Sequence, residues 1–207
     1  MATTAAILLS AGESTRMGET KALLPWGEAS LIEHQVDVLT SAGLSPIVLV
    51  LGHQSDKLEA LVGSRAGVEC VYNPDYIQGR TTSVKAGVRA LRRLQRTHSD
   101  AAAMAAILVL GVDQPRSRET IRSVMDLHGD GAWLITVPTY QGRGGHPVIF
   151  SSSIMDEMME VSEDTLGLKG LVRRHEAQTQ WVEAGSPELL LDLNTPDDYR
   201  RALDTLA

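Results

Sequence analysis

Short apolar runs that alternate with amphipathic segments constrain the fold of this chain more than any other feature. Runs rich in Val, Ile, Leu and Ala predict buried strands at residues 5–9, 47–51, 68–72, 106–110 and 133–137. Segments with helical periodicity predict helices near residues 31–41, 55–62, 82–95, 117–128 and 196–206. Since right-handed crossovers join successive parallel strands, this β-α-β order predicts an α/β fold with a doubly wound, mostly parallel sheet.

Loops that follow parallel strands meet at one edge of such a sheet, where doubly wound proteins bind ligands. Here those loops begin at Ser10, Gly52, Asn73, Gly111 and Pro138. The pattern then changes: residues 140–150 are rich in glycine and predict a β-hairpin, and a helix containing Met155, Met158 and Met159 follows. We expect this small hairpin and helix insertion to lie over the site, the methionines to serve in packing, and residues 1–207 to form a single domain.

The composition excludes several classes of partner. The formal net charge is −7, and the Lys and Arg residues are scattered among acids. Nucleic acids and anionic membranes select clustered cations, so neither is expected as a partner. No apolar run approaches the roughly 20 residues that span a bilayer, and no basic segment follows Met1, so we expect a cytoplasmic protein. Cys70 is the only cysteine, which excludes an internal disulfide and a thiolate zinc cluster.

The loop after the first predicted strand combines small residues with two cations: Ser10, Ala11, Gly12, Arg16, Gly18 and Lys21. Small residues let main-chain N–H groups approach phosphate oxygens, and the cations would neutralise phosphate charge. The spacing excludes a P-loop, because five residues rather than four separate Gly12 from Gly18 and no lysine follows Gly18 directly. A dinucleotide-binding Gly-x-Gly-x-x-Gly is also missing. We therefore predict that this loop binds a nucleoside triphosphate.

Oxygen-bearing side chains at two further places could hold a divalent cation. Asp113 ends a buried strand, and a rigidly held carboxylate suits Mg²⁺ that bridges phosphates. Alternatively, Asp113 only begins a turn or caps the next helix. Asp192 and Asn194 point the same way if the chain is extended, so both could reach one metal ion. The alternative there is a plain helix start, with Thr195 as its cap.

Polar residues around the start of the helix near residues 82–95 predict a further part of the nucleotide site. Asn73 follows the third strand and Ser83 lies in the first turn of the helix. Helix N-termini attract anions, so we predict that Asn73 and Ser83 bind the nucleotide. Alternatively, the segment is only a turn with an N-cap, which leaves Arg80 as a solvated charge.

Four motifs occur in a fixed order along most of the chain. They are Gly-x-x-x-Arg-Met-Gly-x-x-Lys at residues 12–21, Asp-x-Pro at 113–115, Gly-His-Pro at 145–147 and Asn-Thr-Pro-Asp-Asp at 194–198. In this order they resemble the molybdopterin nucleotidyltransferase-like family, and most of all its molybdenum cofactor cytidylyltransferases. The resemblance implies a Rossmann-like nucleotide-diphospho-sugar transferase fold with a mixed, mostly parallel sheet.

That resemblance implies a magnesium-dependent nucleotidyltransferase. Such an enzyme joins a nucleoside monophosphate from a nucleoside triphosphate to a phosphorylated acceptor, here molybdopterin or molybdenum cofactor, and releases pyrophosphate. Arg16 and Lys21 would stabilise charge on the α-phosphate and the leaving group, and Asp113 would fix Mg²⁺. Residues 9–12 read Leu-Ser-Ala-Gly, which is closer to the Leu-Ala-Ala-Gly of cytidylyltransferases than to the Leu-Ala-Gly-Gly of guanylyltransferases, so CTP is favoured over GTP.

Residues of the predicted hairpin are implied in binding the acceptor. The family places its Gly-His-Pro against the second substrate, which assigns Gly145 and His146 to the acceptor, and Arg143 beside them could hold a phosphate. We expect His146 to bind rather than to act as a general base, because this reaction needs positioning more than proton transfer. A hydrogen-bonded structural histidine is the alternative.

Two residues depart from the family pattern. Arg80 lies where the family usually has Met in Gly-Met-Ser-Ser-Ser, and Asn194 replaces an Asp of Asp-x-Asp-Thr-Pro. The first departure leaves the acceptor open, and the second replaces a charged metal ligand with a neutral one. Two other functions therefore stay open: a non-catalytic nucleotide-binding accessory protein for maturation of a molybdoenzyme partner, and a sugar-phosphate nucleotidyltransferase.

Overall fold

The first strand, β1 (Thr3–Ser10), is buried from Ala5 onward because its two faces contribute to two separate cores. The structure is a computed structural model, and it describes residues 3–15, 17–97, 103–129 and 132–206. Ala6 and Leu8 pack into one core and Ala5 and Ile7 into the other. Alternation of side chains along a strand produces this division. Apolar clusters on both faces are what the continuous apolar runs of the sequence predict.

The elements follow in the order that the sequence predicts, with two short strands added after the first strand and a helix and a strand added before the last helix. The other strands are β2 (Pro25–Trp26), β3 (Ala29–Ser30), β4 (Ile47–Leu51), β5 (Val68–Tyr72), β6 (Met104–Gly111), β7 (Ile135–Tyr140), β8 (Arg143–Gly144), β9 (Val148–Ser151) and β10 (Thr179–Glu183). The α-helices are α1 (Leu31–Ser41), α2 (Ser55–Val62), α3 (Arg80–Thr97), α4 (Arg118–His128), α5 (Met155–Met159), α6 (Gly167–Arg174) and α7 (Pro196–Leu206).

The main sheet has eight strands in the order β10-β7-β9-β6-β1-β4-β5, with β8 paired to β7. Strand β1 lies between β4 and β6 and is parallel to both. Strands β4 and β5 are parallel, as are β7 and β10. Strand β9 is antiparallel to its neighbours β6 and β7. The predicted doubly wound, mixed and mostly parallel sheet is therefore confirmed.

Several element boundaries differ from the prediction, and for β7 and α3 the cause is a contact with a distant part of the chain. Strand β7 begins at Ile135, two residues later than predicted, and continues to Tyr140 because β8 and β10 extend its pairing. Helix α3 begins at Arg80 rather than at residue 82. The carboxylate of Glu163 accepts a hydrogen bond of 2.8 Å from the main-chain N–H of Thr81, so a distant residue satisfies a donor of its first turn.

The predicted hairpin is present, but its second half enters the main sheet. The turn between β7 and β8 has positive φ at Gln141 (51°) and Gly142 (74°), as in two-residue hairpins of type I′. The chain then forms β9 inside the sheet and continues into α5. Met155 and Met158 are buried in the core that contains Ile7, which confirms their role in packing. Within the described ranges, no helix is long and apolar enough to cross a membrane.

Candidate active site

A cavity of about 320 Å³ opens at the sheet edge where β1 and β6 end. Loops that follow β1, β5 and β6 line it, together with the segment before α7. The following predicted site residues contribute to the lining: Ser10, Ala11, Gly12, Lys21, Ser83, Asp113 and Asn194. Of the five strand-end loops that the sheet topology predicts at one edge, those after β1, β5 and β6 therefore line one cavity. Arg16, which we predict as catalytic and nucleotide-binding, lies outside the described residues.

The loop after β1 has a backbone that suits anion binding. Ser14 has φ of 57° and Gly18 has φ of 78°. A Cβ on Gly18 would meet no atom within 4 Å, so its positive φ, rather than crowding, favours glycine there. The Ser14 hydroxyl accepts a hydrogen bond of 3.1 Å from the Lys21 main-chain N–H and so ties the two ends of the turn together. Left-handed residues in a loop orient main-chain N–H groups toward a common point, which phosphates exploit.

Lys21 lines the cavity and contacts two residues that lie far from it in the sequence. Its ammonium donates to Asp113 Oδ2 at 2.9 Å and to Asn194 Oδ1 at 3.2 Å. The Lys21 side chain is 11% exposed and that of Asp113 is 26% exposed, so solvent screens this ion pair less than one on the surface. The three polar groups that the motifs single out are thus in direct contact.

Buried amide side chains fix the turn that carries Asp113. Gln114 Oε1 accepts from the Gly111 main-chain N–H at 2.9 Å, and Gln114 Nε2 donates to Asp192 Oδ1 at 3.0 Å. Gln35 of α1 is fully buried, and its Nε2 donates to the Gln114 carbonyl at 2.9 Å. We did not predict Gln35 or Gln114 as site residues. A signal for Gln35 exists, since it interrupts the apolar stripe of α1 with an amide that needs a buried partner.

The metal ligands we predict divide into two groups in the structure. Asp113 and Asn194 offer oxygens to one cation already, the Lys21 ammonium, so they converge on a point where a cation is stable. Hard oxygen donors supplemented by phosphate oxygens are the ligands that Mg²⁺ prefers, so this pair fits it. Asp192 points instead at Gln114, and burial raises its pKa. The described residues contain no cluster of three His, Cys, Asp or Glu side chains able to hold a metal by themselves.

Asn73 and Ser83 stand together at the start of α3, but only Ser83 is among the described residues that line the cavity. Asn73 is 3% exposed, and its Nδ2 donates to Ser83 Oγ at 3.0 Å and to Thr82 Oγ1 at 2.9 Å. Asn73 thus orients the hydroxyls of the first helical turn. The N-terminus of α3, where we predict an anion, already holds the carboxylate of Glu163 through the Thr81 N–H.

The acceptor-binding residues we predict occupy three different environments. Arg143 is exposed on β8. Gly145 is buried, and a Cβ there would lie 2.5 Å from the Leu189 carbonyl oxygen, so a close backbone approach explains this glycine. The partly buried His146 has a pKa of about 4, lowered by burial first and then by Arg80 and Arg116. A neutral, weakly basic ring fits a binding role better than proton abstraction.

Arg116 connects the hairpin to the rest of the site, and our sequence prediction missed it. It is 2% exposed and donates to four main-chain carbonyls: Pro115 at 2.7 Å, His146 at 2.9 Å, Leu191 at 3.0 Å and Leu189 at 3.1 Å. Burial lowers its pKa to about 10, so it stays charged at neutral pH. No local motif identifies Arg116 as a site residue, because its partners lie up to 75 residues away in the sequence.

Arg80, which is a solvated charge in the alternative interpretation of its segment, is exposed and is one of the residues that line the cavity. Its Nη2 lies 3.0 Å from the point where a Cβ on Gly111 would stand, and Asp113 Oδ1 lies 2.5 Å from the same point. Asp113 therefore has a cation on each side: Lys21 in contact with Oδ2 and Arg80 near Oδ1.

The pKa of His146 leads to a testable dependence of stability on pH. The pKa is about 4 in the folded protein, against an ordinary value of 6.5. Between these values the unfolded chain binds more protons, so the free energy of unfolding decreases as the pH falls. We expect the titration of His146 to lower the free energy of unfolding by on the order of 1–2 kcal/mol between pH 7 and pH 5. Urea unfolding at both pH values should show a smaller loss for His146→Gln than for the parent protein; equal losses would contradict this.

Comparisons with known proteins agree with this architecture. Residues 6–179 match the MobA-like NTP transferase domain. The chain is 30% identical to the molybdenum cofactor cytidylyltransferase of Escherichia coli K12, over 93% of this chain and 92% of the relative. It is 26% identical to the nicotine blue oxidoreductase of Paenarthrobacter nicotinovorans, over 95% of each protein.

Solved structures of other proteins have the same fold. Rv0371c from Mycobacterium tuberculosis H37Rv is 27% identical and superposes with a TM-score of 0.80 over 98% of both chains. A manganese complex of Rv0371c superposes with a TM-score of 0.72. The family model covers most of this chain, and the cytidylyltransferase relative matches nearly its full length. This chain therefore belongs to the MobA-like NTP transferase family and is a nucleotidyltransferase.

Proposed function

We propose that this protein transfers the cytidylyl group of CTP to the phosphate of a molybdopterin-type cofactor and releases pyrophosphate. The observation that carries the proposal is the contact of Lys21 with Asp113 and Asn194, inside a cavity bordered by the loop after β1. The substrate pair is supported by the similarity to the molybdenum cofactor cytidylyltransferase, which extends over nearly all of both chains. The residues Ser10, Ala11 and Gly12 favour CTP over GTP through their resemblance to the cytidylyltransferase loop.

In this proposal, the chain's own groups would promote attack on the α-phosphorus. Main-chain N–H groups of residues 11–18 would bind the triphosphate, with Ser14 and Gly18 setting the curvature of the loop. Lys21 would exchange its contact with Asp113 for one with phosphate oxygens, since a phosphate carries more charge than the carboxylate that it replaces. Arg16 would add a second positive charge. Such fixed charges stabilise the transition state because they need no reorganisation during the reaction.

Asp113 and Asn194 would hold a magnesium ion, which supplies charge neutralisation and alignment of phosphate oxygens when bound. The turn that carries Asp113 is fixed by Gln35 and Gln114, so the carboxylate is already oriented. Asp192 would act through Gln114 and not as a direct ligand. His146 would contact the acceptor as a neutral ring, and phosphoryl chemistry of this kind requires no covalent enzyme intermediate.

Pyrophosphate release with a matrix of substrates tests this proposal. CTP, GTP, ATP and UTP would each be offered with molybdopterin, molybdenum cofactor, or a panel of sugar phosphates, in the presence of magnesium. We expect release with CTP and a molybdopterin-type acceptor. Release only with GTP would reverse the base assignment, and release only with a sugar phosphate would overturn the acceptor. Nucleotide binding without release for any pair would favour an accessory protein of a molybdoenzyme.

A further inference from the structure

Lys21 and Arg80 are the cations among the described residues that line the cavity, and they differ in their contacts. Lys21 contacts Asp113 and Asn194, and the buried Arg116 is occupied by main-chain carbonyls. Across the described part of the chain, the Arg80 guanidinium forms neither a hydrogen bond nor an ion pair. Arg80 is exposed to the open cavity, so the five N–H donors of its guanidinium are available to an anion that enters from outside the protein.

The position of Arg80 indicates which kind of anion it would bind. The Arg80 Nη2 and Asp113 Oδ1 both lie within 3.0 Å of the position that a Cβ on Gly111 would occupy. Lys21 donates a hydrogen bond to the other carboxylate oxygen of Asp113. Arg80 is also one of the charges that lower the pKa of His146. Arg80 therefore lies in the cavity beside Asp113, and its charge acts on His146 of the hairpin that we assign to the acceptor.

We propose that Arg80 binds the attacking phosphate monoester of the acceptor and holds it against the α-phosphorus. In an in-line displacement, the nucleophile and the leaving group lie on opposite sides of the reacting phosphorus. An oxygen of the acceptor phosphate forms the new bond to the α-phosphorus, and the bond from the α-phosphorus to its bridging oxygen breaks. Pyrophosphate leaves with that electron pair, and a diphosphate-linked product remains. Two anions must approach for this step, and a guanidinium between them offsets their repulsion.

The local fold keeps Arg80 in this place without using its charge. Gly79 has φ of 125°, and a Cβ there would lie 2.4 Å from Glu163 Oε1, so glycine lets that carboxylate reach the first turn of α3. Glu163 accepts from the Thr81 N–H at 2.8 Å and caps the helix at Arg80. Because Glu163 satisfies the main chain, the Arg80 side chain remains available for a ligand. This inference rests on the proposed transfer to a phosphate acceptor.

Steady-state kinetics of Arg80→Met, which restores the usual residue of the family, tests the inference. We expect the KM for the acceptor to rise roughly 10- to 100-fold, the typical effect of losing hydrogen bonds to a charged group. The KM for CTP should stay within twofold. Arg80→Lys keeps the charge without the planar fork and should recover part of the loss. Arg89→Met, an exposed arginine on the same helix, is the matched control and should leave both constants unchanged. An increase in the KM for CTP alone would overturn the inference.

A binding measurement separates failure of this inference from failure of the proposed function. Phenyl phosphate would be titrated into protein saturated with magnesium and the α,β-methylene analogue of CTP, which cannot release pyrophosphate. We expect at least tenfold weaker binding to Arg80→Met than to the parent protein or Arg89→Met. Equal affinities would overturn the role of Arg80 even if cytidylyl transfer is established. Weaker binding would support it even if the true nucleotide or acceptor is a different one.

Discussion

Lys21→Ala should lower the turnover of pyrophosphate release roughly 100- to 1,000-fold, the typical cost of removing one fixed charge that stabilises a transition state. The affinity for CTP should decrease by less than about tenfold, because main-chain N–H groups of the loop would still contact the triphosphate. Turnover should change more than affinity because negative charge grows on the leaving pyrophosphate only as the bond breaks. Rapid-quench turnover and equilibrium titration of CTP would measure the two effects separately.

Lys57→Ala is the matched control for this substitution. Lys57 is exposed on α2, outside the cavity, so its loss should change neither turnover nor affinity. Removing Lys21 also leaves Asp113 without its ion-pair partner, so thermal unfolding should be measured for both variants. A folded Lys21→Ala protein with unchanged turnover would contradict the assignment of this lysine to catalysis.

Asp113→Asn should reduce pyrophosphate release by about 1,000-fold or more and should abolish the effect of magnesium on nucleotide binding. The amide keeps the shape of the side chain but loses the charge that suits a divalent cation. Without magnesium, removal of a negative charge that faces the triphosphate should leave the affinity for CTP equal or slightly higher. Titrations of CTP with and without magnesium would reveal this reversal of sign.

Asp126→Asn provides the control for Asp113, because Asp126 is an exposed carboxylate on α4. It should behave like the parent protein in both titrations. If Asp113→Asn kept a tenth of the activity or more, or if magnesium still strengthened CTP binding to it, another residue would have to hold the cation.

The core of the site could be predicted because sequence motifs and sheet topology point to the same place. Lys21, Asp113 and Asn194 each follow from a local pattern. The rule that strand-end loops share one edge predicts that the loops with Lys21 and Asp113 meet, whereas Asn194 follows none of the predicted strands. In the structure Lys21 contacts both Asp113 and Asn194. The strands of the sheet were predictable for a related reason, since buried parallel strands read as continuous apolar runs.

The partners of the supporting residues could not be predicted, since they lie far away in the chain. Gln35 reaches a carbonyl 79 residues away, and Arg116 reaches one 75 residues away. Glu163 caps α3 from 82 residues away and thereby sets the place of Arg80. A local pattern describes neighbours in sequence, and these contacts join segments that only the folded sheet brings together.

The most direct test of the central claim is to follow the α-phosphorus of CTP. The protein would be incubated with magnesium, a molybdopterin-type acceptor and CTP radiolabelled either at the α-position or at the γ-position. Nucleotidyl transfer predicts that the α-label appears in the acceptor product and the γ-label in pyrophosphate, with both lost in Asp113→Asn. Transfer of the γ-label to the acceptor, or release of the α-label as CMP alone, would contradict the account.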